Sequence, residues 1–278
     1  MKYAIKLYTA LSLVFILLLS ISGSVGGFFS TVIYVAAFAI PAIIGLVISQ
    51  RLHVVREEER GISLPNKWYC SLDGESIRLF APLVMPSIAL IMILSFLTSL
   101  LLNLLGAQNQ EVELFSLPYM LVMDALVPAV MEELLFRYLP LRLILPYSRR
   151  GCILISSLYF ALIHCNLFSL PYALLAGVIF ISLDIAFDSV LPSLILHFLN
   201  NALSVVMLKY CNTPTANAVY FGFCAVVLVI SLAFVFKNKS RYIALARGIM
   251  QKEAAADLGY YPFLLLVPTL LVAFINLF

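Results

Sequence analysis

Long apolar stretches alternate with short polar connections along the whole chain. Nine apolar stretches occur, at about residues 5–25, 30–50, 79–104, 117–147, 151–168, 170–187, 190–209, 216–236 and 259–278. A helix needs about 20 apolar residues to cross a bilayer. The pattern therefore predicts an all-α, polytopic transmembrane helix bundle of about eight to nine spans. Two very short connections within 151–209 leave a hairpin or a broken helix open there.

Composition agrees with this class and excludes others. Of the 278 residues, 63% are hydrophobic and 11% are charged, against about half and a quarter in soluble domains. A soluble enzyme, a nucleic-acid-binding domain and a disordered tail are therefore excluded, so the lipid bilayer is the expected partner and nucleic acid is not. Outer-membrane barrels are excluded as well, because their strands alternate in polarity.

The bundle divides by position along the chain. Residues 1–116 hold N-terminal helices and a polar loop, 117–209 form a central helical core, and 210–278 hold C-terminal helices. We expect these three parts to make one continuous membrane domain. Lys2 and Lys6 precede an apolar run from Ala10 to Ile21, which also fits a signal peptide. An uncleaved first helix is the favoured interpretation.

Basic residues predict the orientation. With the N-terminus inside, 15 of the 17 Lys and Arg residues fall on inner segments. Cytoplasmic loops carry such an excess. The sequence therefore predicts a multi-pass integral membrane protein with its N-terminus in the cytoplasm and its C-terminus outside.

Three ionisable residues lie inside the fourth apolar stretch, as Glu132-Glu133-Leu-Leu-Phe-Arg137. Charges within a span are costly and usually functional. Glu133 and Arg137 are four residues apart, so they share a helix face and can pair. Glu132 points about 100° away and must face another helix or a water-filled pocket. There a carboxylate can serve as a general base.

Two histidines lie in other apolar stretches. His164 ends Phe160-Ala-Leu-Ile-His164, and His197 begins His197-Phe-Leu-Asn-Asn201. His197 and Asn201 are four residues apart and share a face, whereas Asn200 is interpreted as a helix–helix contact on another face. At 1.5 Å per residue, Glu132, His164 and His197 can all lie roughly 10–22 Å from their helix ends. The three side chains can therefore meet at one depth.

These residues, in this order, resemble the CPBP family, the CAAX prenyl proteases and bacteriocin-processing (Abi) membrane proteins. The resemblance covers about 70 residues, from Glu132 to Asn201, and Gly177 in the intervening stretch also fits it. It implies an intramembrane endopeptidase whose active site lies between the central helices and cleaves a membrane-associated, lipidated or leader peptide. By position, the family roles give Glu132 as the group that activates water and His164 as the residue that positions it. His197 and Asn201 would stabilise the oxyanion, and Glu133 and Arg137 would orient the site.

The resemblance favours glutamate-dependent catalysis without a cofactor. A zinc ion held by Glu132, His164 and His197 is the alternative, because zinc hydrolases use His₂Glu sets. No H-E-x-x-H helix occurs in the chain, so the zincin signature is absent.

Two other functions stay open from the sequence. A non-catalytic membrane scaffold or bacteriocin self-immunity protein would use the same fold to bind a partner. A proton-coupled transporter would use membrane Glu and His residues as a relay, with Asp124, Asp184 and Asp188 as further members. For Asp184 and Asp188 the favoured interpretation is a helix-end role. A bacterial cell membrane is the expected location, and substrate identity and oligomeric state are not specified by the sequence.

Overall fold

A computed structural model describes residues 2–24, 27–60, 71–106, 115–249 and 259–275. Within these ranges every regular element is a helix, as the apolar stretches predict. We number ten helices: α1 Lys2–Ser24, α2 Gly27–Arg60, α3 Gly74–Leu104, α4 117–143, α5 Arg149–Leu162, α6 Leu170–Phe187, α7 Leu191–Tyr210, α8 Pro214–Lys237, α9 Lys239–Ile249 and α10 Tyr261–Ile275.

Helix α4 contains two π-helical turns, Leu121–Leu126 and Leu134–Tyr138, each followed closely by a proline. Proline has no N–H and its ring clashes with the carbonyl four residues earlier. For Pro140 that carbonyl belongs to Phe136, and it accepts hydrogen bonds from the Ser156 hydroxyl of α5 and from Arg137 Nη1. Side chains thus replace the missing backbone donor, as a membrane interior requires.

Helices α5 and α6 pack closely at Gly177. A Cβ atom placed on Gly177 would lie 2.8 Å from the Cα atom of Ser157. The next connection is closed by Asp184, which is fully buried and whose Oδ1 accepts a hydrogen bond of 2.9 Å from Ser193 N in the first turn of α7. These contacts hold α5, α6 and α7 in fixed register around the centre of the bundle.

Six of the described helices are long and apolar enough to cross a membrane: α1, α2, α3, α6, α7 and α8. The most peripheral of them is α8, whose Phe223, Val226 and Val229 are largely exposed. Side chains of this kind are solvated by lipid rather than by water. The chain is therefore an integral membrane protein built as a polytopic helix bundle.

Each of the nine predicted apolar stretches contains a helix, but α9 was not predicted. It lies in the segment 237–259, which the sequence analysis treated as a polar connection. Its Tyr242 hydroxyl donates to Leu79 O of α3, and Arg149 of α5 donates to Gly248 O. Helix α9 therefore lies across one end of the bundle, against the N-terminal ends of α3 and α5.

Candidate active site

Helix α4 places an ion pair in the interior of the bundle. Arg137 Nε lies 3.3 Å from Glu133 Oε2, and the two side chains are 0% and 3% exposed. The guanidinium also packs over the rings of Phe160 and Phe180, with its Cζ atom 4.2 Å and 5.3 Å from the ring centroids. The pairing predicted from the four-residue spacing is present, and aromatic rings cover the faces of the arginine.

His197 of α7 lies between the two glutamates. Its Nδ1 is 2.7 Å from Glu133 Oε1, and its Nε2 is 3.9 Å from Glu132 Oε2. His197 therefore contacts Glu133 directly and approaches Glu132, and so links α7 to α4. The sequence did not reveal this contact, because His197 comes from another helix.

His164 lies two residues after Leu162, the last residue of α5. Its Nδ1 is 2.8 Å from Phe160 O, and since a carbonyl only accepts, Nδ1 carries the proton. In the neutral ring Nε2 then has the lone pair. Cys165, the next residue, has a φ of 46°, so the backbone turns away directly after His164. The side chain therefore lies where the helix ends.

A cavity of about 710 Å³ brings the predicted residues together. Its wall includes Glu132, His164, His197 and Asn201. Glu132, His164 and His197, which come from three helices, therefore border one cavity. Glu133 and Arg137 are buried behind this wall and contact the cavity through His197 and Phe160, so the structure separates four residues facing the cavity from two that support them.

Asn200 corrects the sequence interpretation. It was taken as a helix–helix contact on another face, but it lines the same cavity as Asn201. Its Nδ2 donates to Asn201 Oδ1 over 3.4 Å. Adjacent helical residues differ by 100° in direction, so both can border a cavity that is wide enough.

Helices outside the predicted core also line the cavity. Helix α3 contributes Ser95, Phe96 and Ser99, and α8 contributes Phe221. The sequence analysis found no functional signal in either helix. In retrospect, Ser95 and Ser99 are small polar residues four apart on a mostly apolar span, and this spacing places them on one helix face.

The three aspartates differ in position. Asp188 ends α6 with a φ of 50°, and Asp184 binds the first turn of α7, so both have the expected helix-end positions. Asp124 is exposed within the first π-helical turn of α4. Among the described residues, the cavity wall includes none of the three.

The residues suggested for zinc do not form a ligand group. Within the described ranges, no three His, Cys, Asp or Glu side chains are placed to hold a metal ion. His197 directs Nδ1 to Glu133, and its Nε2 is 3.9 Å from Glu132. The described side chains therefore give the His₂Glu alternative no support, and the reaction proposed below is written without a metal.

Comparison with known proteins supports the family. Residues 114–203 match the model of the Rce1-like family, described as type II CAAX prenyl endopeptidase. No curated protein and no solved structure matched the chain. The matched segment covers about a third of the sequence and contains all six predicted site residues. Within this segment the chain is similar to the type II CAAX prenyl endopeptidases of the Rce1-like family.

Proposed function

We propose that the protein is an intramembrane endopeptidase in which Glu132 activates a water molecule for attack on a peptide bond. The observation that carries this proposal is the shared cavity of Glu132, His164, His197 and Asn201. The Glu132 side chain borders this cavity and is 13% exposed. Its carboxylate can therefore meet a water molecule held in the cavity.

The reaction follows from the positions of these groups. Water between Glu132 and the lone pair of His164 attacks the carbonyl carbon and transfers a proton to Glu132. The carbonyl oxygen becomes an oxyanion that His197 and Asn201 stabilise by donating hydrogen bonds. Glu132 then protonates the leaving nitrogen as the C–N bond breaks.

The bond between His197 and Glu133 sets a condition on this role. Ionised Glu133 only accepts, so Nδ1 of His197 must donate to it. In the neutral ring Nε2 would then be an acceptor and unable to stabilise an oxyanion. The proposed role therefore requires His197 to donate from both ring nitrogens, with Glu133 orienting the ring through Nδ1. Arg137 fixes Glu133 in turn through the 3.3 Å contact.

We further propose that the substrate is a membrane-associated, lipidated or leader peptide.

We also propose that the N-terminus is cytoplasmic. The basic ends of α3 and α5 and helix α9 lie together, joined by Tyr242 and by an Arg241–Glu75 pair of 3.6 Å. Lys209 lies at the C-terminal end of α7, at the opposite end of the bundle, where its Nζ donates to Phe115 O. This distribution supports the orientation that the positive-inside rule gives.

The test compares peptides in membranes that contain wild-type, Glu132→Gln or Asp124→Asn protein. We expect a cleaved species with the wild type and with Asp124→Asn, and a roughly 10²–10⁴-fold lower rate with Glu132→Gln. Asp124 is the matched control, since it is a carboxylate on the same helix away from the cavity wall. Equal cleavage by Glu132→Gln protein of wild-type abundance would contradict the proposal. Cleavage-independent protection of cells against a bacteriocin would favour the scaffold function instead.

Glutamate-dependent catalysis also predicts the response to metal removal. We expect cleavage by purified protein to persist after dialysis against EDTA, because the described side chains form no three-ligand group. Residual zinc is measured in the same samples by mass spectrometry. Loss of cleavage on dialysis, with recovery on adding zinc, would show that the reaction needs the metal.

A further inference from the structure

One face of helix α9 packs on the bundle. Tyr242, Leu245 and Ile249 recur at intervals of three and four residues, so they share a helix face, and all three are partly buried. The Tyr242 hydroxyl donates to Leu79 O of α3, and Leu245 packs against the hydrophobic core. This face therefore holds α9 across the end of the bundle.

Another face of α9 is exposed and basic. Lys239, Ile243 and Arg247 follow one another at intervals of four residues, so they form one stripe along the helix, and all three side chains are exposed. Arg241, which pairs with Glu75, lies outside this stripe. Neither Lys239 nor Arg247 has a carboxylate partner among the described residues. The stripe thus carries two cations on either side of an isoleucine that is 48% exposed.

Further basic residues are exposed at the same end of the bundle. Arg78 lies near the start of α3, Arg150 is the second residue of α5, and Lys237 is the last residue of α8. The exposed carboxylates that the structure describes at this end are fewer: Asp73, Glu75 and Asp188. The described side chains therefore give this surface a positive charge.

A small cleft of about 230 Å³ lies beside α9. Its wall includes Ile185 and Ala186 of α6, Leu245 and Ile249 of α9, and Arg149 at the start of α5. An apolar cleft next to basic side chains matches the chemistry of a phospholipid, in which acyl chains are joined to a charged headgroup. The cleft can hold part of one acyl chain while the headgroup meets the basic surface.

We infer that this end of the protein binds anionic phospholipids of the surrounding leaflet, with Lys239 and Arg247 contacting the phosphate groups. Basic residues clustered on an amphipathic helix beside a transmembrane span bind acidic headgroups, and apolar side chains such as Ile243 enter the headgroup region. Helix α9 begins two residues after the end of α8, the most peripheral span. This continuity with the bilayer favours a lipid over a soluble polyanion.

The experiment measures thermal unfolding of the purified protein in detergent micelles that contain increasing amounts of dioleoylphosphatidylglycerol or dioleoylphosphatidylcholine. A ligand that binds only the folded state raises Tm, so we expect phosphatidylglycerol to raise Tm more than phosphatidylcholine does. Each basic residue near an anionic surface contributes a factor of roughly five to affinity. The double variant Lys239→Gln/Arg247→Gln should therefore need roughly 25-fold more phosphatidylglycerol for the same rise. Added salt should reduce the rise in the wild type, because ions screen exposed charges.

Lys209→Gln is the matched control, since it removes a basic residue from the C-terminal end of α7, at the opposite end of the bundle. This variant should keep the wild-type response to phosphatidylglycerol. Equal responses of the wild type to the two lipids, or an unchanged response of the double variant, would overturn the inference. If the double variant does not fold, the single variants decide, each with a roughly fivefold loss.

Inorganic phosphate distinguishes a lipid from a free anion. It is added to phosphatidylcholine micelles at the concentration of the phosphatidylglycerol headgroup, and we expect a smaller rise in Tm. An equal rise would show that the surface binds a free anion, and the inference would fail. The inference does not depend on the proposed peptidase activity, so either result leaves the Glu132→Gln cleavage test unaffected.

Discussion

Two arginine–glutamate pairs of similar length occupy opposite environments in this protein. Arg137 and Glu133 lie 3.3 Å apart in the interior, with side chains 0% and 3% exposed. Arg241 and Glu75 lie 3.6 Å apart at the end of the bundle, with side chains 61% and 72% exposed. The similar distances alone would suggest similar contributions to stability, but the two pairs differ in how exposed they are.

The two pairs differ in what can solvate the remaining charge when one partner is removed. Water solvates an exposed charge, so a surface pair contributes about 0–1 kcal/mol. Glu133 has no such replacement, because it is buried among Arg137, His197 and Ser193 inside the bundle. The interior pair lies behind the cavity wall, whereas the exposed pair joins α9 to α3.

Exchange of each arginine for glutamine breaks this comparison most directly. We expect Arg137→Gln to reduce the free energy of unfolding by about 3–5 kcal/mol, since it leaves a buried carboxylate uncompensated. Arg241→Gln should cost less than about 1 kcal/mol. Unfolding of both variants in the same detergent micelles measures the difference. Equal losses would mean that burial does not distinguish the two pairs.

A glycine pair extends the comparison from charge to packing and predicts a smaller effect. Gly177→Ala places a Cβ 2.8 Å from the Ser157 backbone, and overpacking of this kind costs about 1–3 kcal/mol. Gly222 of α8 has no atom within 4 Å of the same position, so Gly222→Ala should be neutral or slightly stabilising. Thermal unfolding of the two variants is the measurement. A Gly222→Ala variant as unstable as Gly177→Ala would show that close α5–α6 packing is not the cause.

The helices could be predicted because long apolar runs have few alternatives in a membrane. The Glu133–Arg137 pair could also be predicted from the sequence, since both residues lie on one helix and their spacing sets the direction of their side chains. The contact between His197 and Glu133 could not be predicted, because it depends on how α7 packs on α4. Asn200 was misread because the width of the cavity is a property of several helices. Helix α9 was missed because a short helix with charged residues at the membrane surface resembles a loop.

The proline at 140 has a consequence for efforts to make this protein more robust. Because Pro140 has no N–H, the Phe136 carbonyl accepts hydrogen bonds from Ser156 and Arg137 instead. The irregular turn therefore holds the Arg137 side chain in place. Replacing Pro140 by alanine is an obvious way to regularise the helix. The new N–H would compete for that carbonyl and release both side chains. A Pro140→Ala variant would then have a more regular helix, but the side chains of Ser156 and Arg137 would no longer be held in place. Pro140 is therefore best retained when the protein is engineered for thermal stability.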